Sequence, residues 1–119
     1  MDNIQEKRIS NVIENWDARK DNLTHLFQNR EKAEIINLMK DAIDDFYNFL
    51  FLMNGKQVPA DREKQEFLAR LDYKPINLEE RLQFVLNKPH QYHSFVQLNV
   101  LYLELLKLYA KTKIMKNKK

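Results

Sequence analysis

The amino-acid sequence contains a single glycine, Gly55, in 119 residues. Tight turns between antiparallel strands need positive φ angles, which glycine adopts with little steric cost, so a sheet of several strands would lack its turns. Hydrophobic residues make up 44% of the chain, which is enough to fill one core at this length. We therefore predict an all-α protein, a compact bundle of four or five helices.

Three prolines and the glycine divide the chain into helical segments. Proline cannot continue a helix, and a glycine such as Gly55 commonly ends one. Residues 3–28 form either one long helix or two. The spacing of apolar residues elsewhere predicts helices over about 30–53, 61–71, 78–88 and 91–115.

The two short segments carry local signals of their own. Phe67, Leu68 and Leu71 are expected to face inward from the 61–71 helix. Asn77, with Glu80 three residues later, resembles a capping box, which satisfies the unpaired N–H groups at a helix start. We therefore expect the 78–88 helix to be capped by the Asn77 side chain.

The last segment, 91–115, is the most apolar of the chain. Its apolar side chains leave only a narrow polar stripe, so we predict that this C-terminal helix is central in the bundle or lies at a subunit interface. Asn99 falls inside its apolar arc. This amide is either a satisfied core group or a polar group that fixes register against a neighbouring helix. Residues 1–110 are expected to form the single helical domain.

The end of the 30–53 helix breaks its own amphipathic pattern. At about 100° per residue, Phe51 and Leu52 fall on or beside the polar face, so either the chain itself or a partner must cover them. Together with Tyr102 and Tyr109 of the last helix, they are the candidate partner-binding residues. The leading interpretation is a non-catalytic interaction module that binds a protein partner or a second copy of itself.

The charge of the chain is concentrated at its C-terminus. Residues 111–119 hold five lysines and no acid, which leaves 15 basic and 17 acidic side chains in residues 1–110. A basic C-terminal helix end or tail can contact phosphates, so the alternative interpretation is a nucleic-acid-associated protein. The candidate phosphate contacts are Lys107, Lys111, Lys113, Lys116, Lys118 and Lys119.

No combination of residues predicts catalysis, a metal or another cofactor. His90 and His93 have helical spacing, but no carboxylate lies within a turn of His93, so we interpret both as surface or capping residues. His90 with Ser94 lacks a third catalytic group and a glycine-rich oxyanion loop. We interpret an acidic strip as a solvated helix face and an aromatic cluster as core. The strip is Glu34, Asp41, Asp44 and Asp45, and the cluster is Phe46, Tyr47, Phe49 and Phe51.

The chain has no cysteine and no apolar run long enough to span a membrane. We therefore expect a cytoplasmic protein without membrane contact.

The last 45 residues resemble the C-terminal region of the YpoC-like proteins of low-GC Gram-positive bacteria. The resemblance implies a small, helical, cytoplasmic bacterial protein, and it supplies no catalytic residues. It is carried by Lys74-Pro75-Ile76-Asn77, Glu80-Arg81-Leu82-Gln83-Phe84, Pro89 and Tyr92-His93-Ser94-Phe95-Val96-Gln97-Leu98.

Overall fold

The structure, a computed structural model, describes residues 3–117 and the side chains of residues 4–115. It is all-α over this range, without a strand, so the predicted fold class is confirmed. Residues 3–28, for which one or two helices were expected, form one helix. None of the helices in this range is both long and apolar enough to cross a membrane. The helices are α1 (Asn3–Gln28), α2 (Lys32–Met53), α3 (Lys64–Leu68), α4 (Leu78–Asn87) and α5 (Tyr92–Asn117), and a 3-10 turn at Asp61–Glu63 leads into α3.

α1 and α2 lie side by side in opposite directions. At one end of the pair, the Gln5 side chain donates a hydrogen bond of 2.6 Å to the carbonyl oxygen of Leu52. Nearer the middle, Arg19 of α1 pairs with Asp45 of α2. The antiparallel arrangement follows from a connection of only three residues, which brings the chain directly back along the helix it has left.

The centre of the core is Tyr102 of α5, which joins three helices. Its ring stacks on Trp16 of α1, with 4.2 Å between ring centroids, and Phe46 of α2 meets it edge-on at 5.2 Å. Its hydroxyl donates a hydrogen bond of 2.6 Å to the carbonyl of Ala42, and burial raises the pKa of this phenol. Because α5 contacts α1, α2 and also α4, the C-terminal helix has the central position predicted for it.

The last turns of α2 are buried on every side, since residues 49–53 are all interior. Part of this burial comes from the segment that follows α2, which returns to the end of the helix at Tyr73. The Asn54 amide donates a hydrogen bond of 2.9 Å to the carbonyl of Tyr73, and its oxygen accepts one of 2.9 Å from the Tyr73 N–H. α2 ends where predicted, because Gly55 adopts a left-handed conformation with φ 73°.

Two local predictions between α2 and α5 need correction. The expected 61–71 helix is a 3-10 turn followed by the five-residue α3, although Leu68 and Leu71 are buried as predicted. The predicted capping box does not form. Asn77 has φ 57°, a left-handed conformation instead of the extended one that turns a capping side chain toward the helix start, and its side chain makes no cap hydrogen bond.

Candidate interaction surface

The structure places most of the predicted partner-binding residues inside the bundle. Phe51, Leu52 and Tyr102 are buried, while Tyr109 is half-buried and packs edge-on against Phe49. The first three therefore offer little or no surface on the folded chain, which corrects that part of the prediction. The helical projection of α2 assumed one covered side, whereas α1, α5 and the segment after α2 cover its end from several directions.

An exposed apolar stripe runs along the side of α5 that faces away from the core. Its residues Tyr92, Val96, Val100, Leu103 and Ile114 are 57%, 41%, 37%, 47% and 59% exposed. They lie within roughly 80° of one another around the helix axis and extend over about 33 Å. We call this stripe the α5 outer face. The i, i+4, i+8, i+11 spacing of its first four residues is visible in the sequence, but the pattern alone did not separate them from the other apolar side chains of the last helix.

The other sides of α5 are occupied by neighbouring helices. Phe95 and Tyr102 pack in the core, and the α4 side is closed by Arg81. The Arg81 guanidinium donates hydrogen bonds of 2.9 and 2.8 Å to the two carboxylate oxygens of Glu104 and one of 2.9 Å to Gln97. These bonds lower the pKa of the Glu104 carboxyl. The α5 outer face is exposed from Val96 to Leu103, and at its start the Tyr92 ring meets Phe27 of α1 edge-on, with 5.5 Å between ring centroids.

The charges beside this face are positive. Lys107 lies within the stripe and Lys111 at its edge, both exposed. Glu104 is the only acidic residue of α5, and it is paired with Arg81. The α5 outer face is thus apolar with a basic border.

The predicted nucleic-acid contacts lie toward one end of the molecule. Lys107, Lys111 and Lys113 are exposed on α5. The start of α1 and the end of α2 meet at the same end, where Arg8 and Lys56 line an open groove of about 410 Å³. Lys116 belongs to α5 but its side chain is outside the described residues, as are Lys118 and Lys119 entirely. Arg8 and Lys56 could not be identified from the sequence, because only the antiparallel packing of α1 brings them to this end.

No hydrogen bond joins His90, His93 and Ser94 in the described part of the structure. Ser94 is buried, and its hydroxyl donates a hydrogen bond of 2.7 Å to the carbonyl of Lys88, where α4 ends. His93 is exposed and His90 half-buried. Within the described residues, no group of three histidine, aspartate or glutamate side chains is placed to hold a metal ion.

The aromatic cluster of α2 and the Asn99 amide both lie within the helix packing. The aromatic cluster of α2 is buried, which confirms its interpretation as core. Asn99 lies beside the α5 outer face, and its Oδ1 is buried and accepts no hydrogen bond from a described residue. Neither a capping donor nor a register-fixing partner for this oxygen is present among the described residues.

The fold and this surface define a class: a small all-α bundle whose final helix is buried on one side and exposes an apolar stripe on the other. Comparison with known proteins is more specific. The family model described as YpoC-like protein matches residues 6–117, and the chain belongs to this family. It is 33% identical over 105 residues to a Bacillus subtilis (strain 168) protein named "Uncharacterized protein YpoC". That match covers 88% of this chain and 64% of the relative's length, so the chain spans less than two thirds of it. No solved structure matches the chain.

Proposed function

We propose that this chain is a non-catalytic interaction module of the cytoplasm, which docks an amphipathic helix of another protein along the α5 outer face. The observation that carries the proposal is the exposed stripe from Tyr92 to Leu103, which Ile114 resumes about three turns further along the helix, beyond Lys107. A soluble helix normally keeps such a stripe against a neighbour, and an apolar strip of this length fits the i, i+4, i+7 anchors of a docked helix.

The charge of α5 favours a different protein over a second copy. If two α5 outer faces paired, Lys107 and Lys111 would meet a helix whose single acid, Glu104, is already bonded to Arg81. A partner helix with apolar anchors and acidic residues on its edges would complement the face. Self-association is therefore one outcome of the test and not the proposal.

Photo-crosslinking in cells of the source organism tests this directly. A photoreactive amino acid is placed at Val96, at Val100 or at Leu103, and the matched control carries it at Ile76, another exposed apolar residue outside the face. We expect one common crosslinked protein at the three α5 positions, with the crosslink in an apolar helical segment that has acidic edges. Adducts to the chain itself, adducts identical at Ile76, or none at α5 would each contradict the proposal.

Arg8 and Lys56 line one groove at the end of the molecule toward which the lysines of α5 lie, and this favours a second candidate, binding of a nucleic-acid backbone. Phosphate contacts would make the affinity fall steeply with salt. Thr112 is buried, so charge substitution is a cleaner perturbation than deletion of residues 111–119.

Fluorescence anisotropy with a labelled oligonucleotide measures this second candidate. The combined variant Arg8→Gln/Lys56→Gln/Lys111→Gln should weaken binding and reduce the slope of log affinity against log salt. Lys32→Gln, an exposed lysine at the start of α2, is the control. Absence of binding at low salt, or an unchanged slope in the combined variant, would eliminate this candidate.

A further inference from the structure

A cavity separate from the α5 outer face lies between α2, the Asp61–Leu68 segment and the end of α4. Its volume is about 400 Å³, within the range of small-molecule sites. Ile43 and the ring of Tyr47 are buried in its wall, and Ile36 and Leu86, both more than one third exposed, contribute apolar surface. The cavity therefore offers apolar surface to the body of a small molecule.

One wall is built around Tyr47. The Lys64 ammonium lies 4.3 Å from the centroid of the Tyr47 ring and 2.9 Å from a carboxylate oxygen of Asp61. The ring is thereby fixed between α2 and the segment that leads into α3. The Tyr47 hydroxyl makes no hydrogen bond to any described residue. Its oxygen is not fully buried, so the hydroxyl is open to an occupant of the cavity.

The wall formed by α2 carries one positive and one negative side chain. Lys40 and Asp44 lie one helical turn apart, both line the cavity, and neither forms an ion pair with a described residue. Lys40 precedes Asp44 in the chain, and this orientation is less favourable for an i, i+4 ion pair than an acid that precedes a lysine. It is consistent with the two side chains being unpaired in the described structure. Both side chains are exposed, so an occupant that carries both charges can pair with both groups, whereas an occupant with a single charge leaves the other group bonded to water only.

We propose that this cavity binds a small zwitterion with an apolar side chain, the chemical class of a free aliphatic or aromatic amino acid. The carboxylate of the ligand is directed to Lys40 and the Tyr47 hydroxyl, and its ammonium to Asp44. The side chain of the ligand lies against Ile43 and Leu86.

Ligand-observed NMR titration with four defined probes tests the proposal. L-Leucine and L-phenylalanine should bind with a dissociation constant in the millimolar range or tighter, as expected for ligands of this size. N-acetyl-L-phenylalanine, which lacks the cation, and L-phenylalaninamide, which lacks the carboxylate, should each bind about tenfold more weakly, because each loses one charge-assisted contact. The proposal would be overturned if none of the four probes showed saturable binding up to about 10 mM. It would also be overturned if the N-acetyl and amide derivatives bound as tightly as L-phenylalanine itself.

Three variants locate the site. Asp44→Asn and Lys40→Met should each weaken L-phenylalanine binding about tenfold, and Tyr47→Phe should weaken it about threefold because the ring and its contact with Lys64 remain. Asp41→Asn, an exposed acid of α2 outside the cavity, is the matched control and should leave the affinity unchanged. Equal effects of Asp44→Asn and Asp41→Asn would place the ligand elsewhere and refute the assignment.

Discussion

The end of α1 provides a sharp test of how this chain folds with one glycine. Arg30 has φ 58°, and the connection is closed by hydrogen bonds from the Arg30 N–H to Phe27 and from the Glu31 N–H to Leu26. This is a Schellman motif, in which glycine is the usual left-handed residue. Gly55 closes α2 by the same pattern, with its N–H bonded to Leu52. We predict that Arg30→Gly stabilises the protein and that Gly55→Ala destabilises it.

The magnitude follows from the backbone conformation. A left-handed conformation costs an L-residue roughly 1–2 kcal/mol, and the greater freedom of glycine in the unfolded chain offsets about 0.5–1 kcal/mol of the gain. The Arg30 side chain is exposed and forms no ion pair with a described residue, so little else is lost. We expect a net gain of about 0.5–1 kcal/mol from Arg30→Gly, and a loss of about 1 kcal/mol from Gly55→Ala.

Urea unfolding and thermal melting of both variants measure these values. With an unfolding entropy of about 2.1 cal/mol/K per residue, a chain of this length shifts its Tm by about 4 °C per kcal/mol. A Cβ at position 55 would meet no atom within 4 Å, so its effect reports backbone conformation without a clash. A destabilising Arg30→Gly, or shifts of the same sign in both variants, would refute the reasoning.

Three further predictions concern side chains. Leu52→Glu should destabilise the protein by about 3 kcal/mol or more in urea unfolding, because it buries a charge, whereas Val100→Glu on the α5 outer face should change stability by no more than about 0.5 kcal/mol. Asn99→Leu should be neutral or stabilising by about 1 kcal/mol in the same assay, because it removes a buried oxygen that accepts no hydrogen bond from a described residue. Arg81 lowers the pKa of Glu104 below its ordinary 4.5, so the stability contributed by this pair is present above that pH and is lost as the pH falls through the lower folded value. Glu104→Gln should therefore destabilise at pH 7 and lose most of its effect at strongly acidic pH, which unfolding curves at both pH values measure.

The fold class was predictable because it depends on local chemistry. A single glycine excludes many strand turns, and Gly55 adopts the left-handed conformation that its residue type favours. Asn77 adopts the same conformation, which asparagine tolerates better than most L-residues, whereas the residue type of Arg30 gives no such signal. The three-residue connection to α2 imposes it on Arg30, and at Asn77 it replaces the extended conformation that the expected capping box needs. Local signals therefore identified the helices and the end of α2, but not how α1 ends or how α4 begins.

The candidate sites could not be predicted in the same way, because periodicity groups residues by side and does not say how many sides neighbours cover. Leu52 falls outside the apolar side of α2 yet is buried, because covers arrive from more than one direction. Val100 belongs to an apolar helix yet is exposed, because α1, α2 and α4 occupy the other sides of α5. The cavity wall depends on Lys64 lying over Tyr47, a contact between residues 17 positions apart that no helical repeat encodes. Both sites are therefore properties of helix packing, and they become visible only when the neighbours of α2 and α5 are known.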